Sequence, residues 1–257
     1  MIHQTAAKGF LGAERYDQAR PEYPGDAVAR LAAEMKLTAC SCVVELGAGT
    51  GKFTRLLAAA MPDGARLIAV EPMAEMRHRL VAVLPAIEAV DGTAERIPLP
   101  DGVADVVVAA QAFHWFDYPR VLPEICRVLK PCGRLGLIWN IRDDGVDWVA
   151  RLEEITEVYS GVSPRYLSGQ WRRAIEESGR FAPLGSYESH YAHVGPPEAV
   201  VERVATSSYI ARLDEEEKQR VLGRVRQLLA KHPETAGKGE VAFPYRTPVY
   251  WCVVKGE

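Results

Sequence analysis

A chain of 257 residues, 48% hydrophobic and 25% charged, can bury one large core, alone or with a small appended lobe. The net charge of −3 and the scattered Lys and Arg exclude the dense basic surface that nucleic acids demand, so no nucleic-acid partner is expected. No run of about 18 apolar residues offers a membrane span and no signal segment opens the sequence, so a cytoplasmic protein, monomer or homodimer, is expected.

The five cysteines are odd in number and form no C-x-x-C pair. Reduced packing thiols are therefore expected, with neither a disulfide framework nor a metal site.

In chain order, Val28, Leu31, Ala32 and Met35 recur at helical spacing. The apolar run 42–46 ends in glycine-rich sequence, as a buried strand does. Phe53, Leu56, Leu57 and Ala60 give a helix closed by Pro62 and Gly64. Residues 67–70 read as a second strand, and Met73, Met76, Leu80 and Val83 as one helical face. Residues 87–90 and 103–109 read as strands three and four. Val121, Leu122, Ile125, Val128 and Leu129 form a helix, and 135–139 the fifth strand. Strands alternating with helices imply a parallel sheet.

Beyond residue 143 the alternation stops. Residues 147–160, 166–178 and 198–211 are expected as helices, and 184–193 as a strand. Asp214-x-x-Glu217 resembles a capping box before an amphipathic helix carrying Val221, Leu222, Val225, Leu228 and Leu229. The β-branched and aromatic tail 245–254 is the last strand. A single domain is expected: a cover segment over 1–24, a core over 25–143, a variable cover over 144–212, and a last helix and strand over 213–257.

The most informative stretch is Glu45-Leu46-Gly47-Ala48-Gly49-Thr50-Gly51, between a buried strand and a helix. Glycines permit a tight turn and close backbone approach to a ligand. The helix start behind them supplies free N–H groups and a positive dipole end. Glu71, 20 residues past Gly51, closes the next strand over the same crevice, where a carboxylate can accept from both ribose hydroxyls. A P-loop fails, because Leu46 stands where its first glycine belongs and Phe53 where its Ser or Thr belongs. A dinucleotide loop is disfavoured, since Lys52 replaces the third glycine. The E-x-G-x-G-T-G form of an S-adenosylmethionine (SAM) loop is met in full.

Residues 43–143 resemble the class I SAM-dependent methyltransferases, in the small-molecule branch related to ubiquinone and menaquinone methyltransferases. The blocks VVELGAGTGKFT, IAVEPMAEM, DGTAERIPLPDGVADVVV and ICRVLKPCGRLGLI carry the resemblance in the family's order. YDQARPEYP and AQAFHWFD resemble a subgroup that includes trans-aconitate methyltransferase-like proteins.

The resemblance implies an α/β, Rossmann-like, doubly wound sheet of seven strands, mostly parallel with an antiparallel last strand, plus inserted lid helices. It implies SAM as cofactor and S-adenosylhomocysteine as product, with methyl transfer to a small molecule, at an oxygen of a hydroxyl or carboxylate in preference to a nitrogen or carbon. Gly47, Ala48 and Gly49 would line the methionine part, and Glu45 would brace the loop or meet the amino group. Glu71 would take the ribose, Pro72 or Met73 the adenine face, and Thr93, Ala94 and Glu95 the adenine edge. Many relatives carry Asp where Thr93 stands. Gln111 would face the sulfonium, while Tyr16 and Arg20 would fold over the site, with Arg20 near the SAM carboxylate.

His114 follows strand four and is expected as a general base, a substrate hydrogen-bonding group or a packing residue, with Trp115 as a pocket wall. Trp139, Asn140 and Arg142 end strand five and point towards the crevice. Arg142 is expected in a local ion pair with Asp143 or Asp144, with binding of an acidic substrate as the alternative. Trp171, Tyr187, Tyr191 and Tyr209 are expected in the core, with the cover of a substrate pocket as the alternative. Other readings are a SAM-binding enzyme that catalyses cyclisation, a nicotinamide-dependent oxidoreductase and a non-catalytic SAM-binding partner.

Overall fold

The computed structural model describes residues 20–161 and 166–256. Tyr16 lies outside the described residues.

Five parallel strands lie in the order β3-β2-β1-β4-β5: β1 (Cys42–Leu46), β2 (Arg66–Val70), β3 (Glu88–Val90), β4 (Ala104–Ala110) and β5 (Leu129–Ile138). The last strand, β8 (Val241–Val253), runs antiparallel to β5, pairing Ile138 with Val249 and Arg134 with Val253. On its other edge β8 pairs with β7 (Gly185–Gly195) along 11 residues. The two-residue β6 (Ile141–Arg142) continues the line of β5 against Tyr245 and Arg246. The sheet thus has eight strands at seven positions, mostly parallel with an antiparallel last strand.

Side chains alternate across a strand, and each face of this sheet is apolar. Val43, Val106 and Val108 meet α1 (Gly25–Met35) and α2 (Lys52–Ala60) on one face. Leu80 of α3 (Ala74–Val83) packs beside them on Ala69. Val44, Leu46, Val107 and Leu135 meet α4 (Tyr118–Val128) and α6 (Gln170–Glu177) on the other.

The β7–β8 ribbon is longer than the five-residue stretch paired to β5, and its free end carries a second cluster. Val241, Phe243 and Tyr245 there support α5 (Asp147–Glu157), α7 (Pro197–Ala205), α8 (Ser208–Ala211) and α9 (Glu215–Lys231). Their buried faces centre on Trp148, whose ring lies 5.2 Å from that of Phe243.

Several expected boundaries shift for local reasons. Val128 ends α4 and Leu129 opens β5 at once, because Leu129 pairs with Ala104 ahead of a register break. The helix expected over 166–178 begins at Gln170, after a 3-10 turn at Tyr166–Ser168 and Gly169 at a φ of 66°. The helix expected over 198–211 breaks at Thr206 and Ser207, where the Ser207 backbone turns extended before α8. The Asp214 side chain caps α9 by accepting from Glu217 N at 2.8 Å, while the Glu217 carboxylate accepts from Tyr159 Oη at 2.6 Å.

The lobe is built on the free end of the β7–β8 ribbon and should unfold with the rest of the chain. Trp148→Ala should cost about 3–5 kcal/mol, the range for emptying a large buried aromatic site. Urea denaturation checks this, and a loss below about 1 kcal/mol would show the lobe to be energetically separate.

Candidate functional site

The loop after β1 turns at the carboxyl edge of the sheet. Gly47 N donates to Val70 O at 2.9 Å, and Gly51 N to Ala48 O at 3.0 Å. Gly47 sits at a φ of 69°, and a Cβ there would come within 2.8 Å of the Ala112 Cβ. Gly49, at a φ of 59°, has no heavy atom within 4 Å of where its Cβ would stand, so its side opens on a cleft. Behind the loop, the free N–H groups of α2 add a positive end.

Glu71 secures this arrangement. Its Oε2 accepts from Gly49 N at 2.8 Å and its Oε1 from Met73 N at 2.9 Å. Burial pushes its carboxyl above the usual range, against the pull of those two N–H groups and Arg77. Arg77 Nη1 also donates to Glu71 O at 2.8 Å. Glu45, 1% exposed, lies deeper, and among the described residues its Oε2 has no hydrogen-bond partner. Burial lifts its carboxyl to about 8, opposed by the nearby Thr54 hydroxyl and reinforced by the Glu71 charge.

All twelve described residues expected around SAM border this one cleft: Arg20, Glu45, Gly47, Ala48, Gly49, Glu71, Pro72, Met73, Thr93, Ala94, Glu95 and Gln111. Sequence reasoning missed Lys52, Phe53, Met76 and Phe116, which also line it. Lys52 stood out in the sequence by occupying a dinucleotide loop's third glycine position; its Nζ donates to Arg20 O at 2.7 Å. The segment leading into α1 is thereby held across the cleft, and Asn140 Nδ2 adds a bond to Glu22 O at 3.0 Å.

Gln111 adopts a φ of 53°, a left-handed conformation that a non-glycine residue takes infrequently. Its N donates to Ile138 O at 3.0 Å and its Nε2 to Asn140 O at 2.7 Å, which hold it at the edge of β4 and β5.

A second pocket adjoins the cleft, and Arg20, Gln111 and Trp115 line both. Its other walls include His114, Trp139, Tyr166, Arg203 and Tyr209. The Trp139 indole N–H donates to His114 Nδ1 at 3.0 Å. Burial, with the Arg20 charge adding, drives the His114 imidazole down to about 3.

Two expectations are corrected here. Arg142 pairs with Glu153 of α5 at 3.0 Å rather than with Asp143 or Asp144, which both face Arg246. Burial works against the Arg142 charge, but Glu153 and neighbouring Tyr209 and Tyr245 hold it protonated. Tyr209 is half-buried and lines the second pocket rather than standing wholly in the core, while Tyr187 and Tyr191 are only half-buried. Trp171 is core. No sequence signal marked Arg203 or Tyr166, which lie where the βα alternation has stopped.

The Glu45 carboxyl makes stability depend on pH in a defined direction. Below about pH 4.5 it is neutral whether folded or unfolded. Between about 4.5 and 8 the unfolded chain ionises while the folded site keeps its proton, so its contribution to stability falls as pH rises. Glu45→Gln should flatten that decline in thermal unfolding between pH 5 and 8; equal slopes for both proteins would contradict the assignment.

Comparison with known proteins agrees with this architecture. Residues 44–137 match the methyltransferase domain family model. An uncharacterised methyltransferase of Mycobacterium tuberculosis is 39% identical over 232 residues, covering 90% of this chain and 89% of that protein. An uncharacterised methyltransferase-like protein of Schizosaccharomyces pombe is 34% identical over 235 residues, covering 91% of each. A solved structure from Anaeromyxobacter dehalogenans, described as a putative type II methyltransferase, superposes with a TM-score of 0.65 at 20% identity, covering 92% of this chain and 97% of that one. The chain belongs to the class I SAM-dependent methyltransferase family.

Proposed function

We propose that this enzyme transfers the methyl group of SAM to an oxygen of a small acidic molecule, with the cofactor in the cleft and the acceptor in the second pocket. The observation that carries this reading is the shared wall: the glycine-loop cleft and the second pocket meet at Arg20, Gln111 and Trp115. Two reactants seated on either side would face each other at the edge of β4.

The residues suit the cofactor's parts. Each Glu71 oxygen uses one acceptor site on a backbone N–H and keeps another for a vicinal diol. Glu45 offers a buried oxygen to an ammonium group, where an added positive charge would draw off its proton. Pro72 and Met73 supply an apolar wall for adenine, with Thr93, Ala94 and Glu95 at its edge. Gly47, Ala48 and Gly49 leave room for the methionine chain, Arg20 supplies a cation for its carboxylate, and Gln111 lies towards the sulfonium end.

Bound SAM supplies a methyl group on a positively charged sulfur. The chain's own share is alignment and the exclusion of water, through a backbone fixed at Gln111 and aromatic walls at Trp115 and Trp139. Arg20, Arg142, Arg203 and Arg246 line the second pocket, and guanidinium groups are the side chains best suited to meet the carboxylate of an acidic acceptor. The oxygen methylated would belong to a carboxylate or a hydroxyl of that acid.

Incubating the enzyme with methyl-labelled SAM and a panel of small carboxylic acids should yield a labelled product and one equivalent of S-adenosylhomocysteine. Conversion of an added substrate without S-adenosylhomocysteine would favour a rearrangement instead. Glu71→Ala should weaken SAM binding by about 1.5–3 kcal/mol in calorimetry, as for lost hydrogen bonds to a charged group. An unchanged dissociation constant would place the ribose elsewhere.

A further inference from the structure

We propose that Trp139 is a positioning residue that fixes the His114 imidazole as its neutral tautomer with the proton on Nε2, so that His114 serves the second pocket as a hydrogen-bond donor and not as a base. The inference deepens the proposed function at the acceptor side of the site and rests on that reading for its role in catalysis. The tautomer itself follows from geometry alone.

An indole nitrogen can only donate. The His114 atom 3.0 Å from Trp139 Nε1 must therefore present a lone pair, which leaves Nδ1 without a proton. A neutral ring then carries its proton on Nε2. Protonating Nδ1 would set one N–H against another, and the indole cannot turn aside. Trp139 is fully buried, with its ring 4.8 Å from Trp171, 5.1 Å from Tyr166 and 6.1 Å from Tyr250. The 3-10 turn Phe113–Trp115 holds the imidazole from its own side, with Phe113 fully buried.

The charges around the ring act in the same sense. Arg20 faces His114 and disfavours a second proton on it. The pocket's carboxylates, Asp144 and Glu153, are engaged by Arg246 and Arg142, and Tyr118 donates its hydroxyl to the His114 carbonyl rather than to the ring. Burial keeps the imidazole neutral far below neutral pH.

The chemical consequence concerns the acceptor. A base needs a vacant lone pair within reach of the proton it takes, and here the one lone pair of the ring is held by Trp139. Transfer to a carboxylate needs no base: one oxygen forms the new bond to the methyl carbon, the sulfur keeps the electron pair of the broken bond, and no proton is released. The other carboxylate oxygen can then accept from Nε2–H, which orients the attacking one.

The test is nitrogen-15 NMR of the imidazole groups in the ligand-free protein, with the His114 signals identified by their loss in His114→Gln. The expected result is an Nε2–H tautomer that does not titrate between about pH 5 and 8. In Trp139→Phe the same ring should populate both tautomers. A proton on Nδ1, or a titration within that range, in the wild-type protein would overturn the proposal. A Trp139→Phe spectrum identical to wild type would also overturn it, because Trp139 would then not fix the ring. If that core variant fails to fold, the wild-type spectrum still decides. Because no cofactor or acceptor is present, a failure here leaves the methyl-transfer reading standing, and absence of SAM binding would leave the tautomer standing.

Discussion

The Glu71 carboxylate ties the glycine loop to the end of β2, and the rest of the cleft depends on that tie. One oxygen holds Gly49 N and the other Met73 N, so a single side chain fixes both the turn after β1 and the entry to α3. Two charge-assisted hydrogen bonds offset the cost of burying the group. Gly47 is the complementary constraint, since its backbone conformation and its closeness to Ala112 leave no room for a side chain. The parallel register of β1 on β2, with Gly47 N and Ala48 N both on Val70 O, brings loop and carboxylate to the same height.

From that fixed edge the site divides in two. The cleft is built by loops after β1, β2 and β4 and by the short stretch at 93–95, all on the five-stranded parallel core. The second pocket takes residues from the 3-10 turn after β4, the end of β5 and the helices carried on the β7–β8 ribbon. Arg20 belongs to both, with Nη2 donating to Thr206 O at 3.2 Å and its own carbonyl accepting from Lys52. The strap formed by residues 20–23 therefore links the core, through Lys52 and Asn140, to the end of α7. A substitution at Arg20 would reach both cavities at once.

The sheet, the glycine loop and the cleft were legible in the sequence because each depends on local pattern. A buried parallel strand announces itself as a short apolar run, and Gly47, Gly49 and Glu71 occupy positions fixed by the βαβ unit. The second pocket was far less legible. Arg142 looks like a partner for its neighbours Asp143 and Asp144, yet its Nη1 donates to Glu153 and Thr156 of α5, 11 and 14 residues on. Trp139 and His114 are 25 residues apart and nothing in their spacing announces a hydrogen bond. Arg203 and Tyr209 line the pocket from α7 and α8, on either side of a helix break that periodicity does not encode. The early start of β5 was missed because Leu129 continues the apolar stripe of the preceding helix.

The central claim is that SAM occupies the glycine-loop cleft while the second pocket stays open for an acceptor. Amide hydrogen exchange of the full chain, with and without saturating SAM, tests this most directly, because it reports where protection arises. The account predicts slowed exchange in the stretches 47–51, 71–73 and 93–96 together, no such effect with NAD, and little change in α5. Protection confined to the walls of the second pocket, or none in the glycine loop, would contradict it.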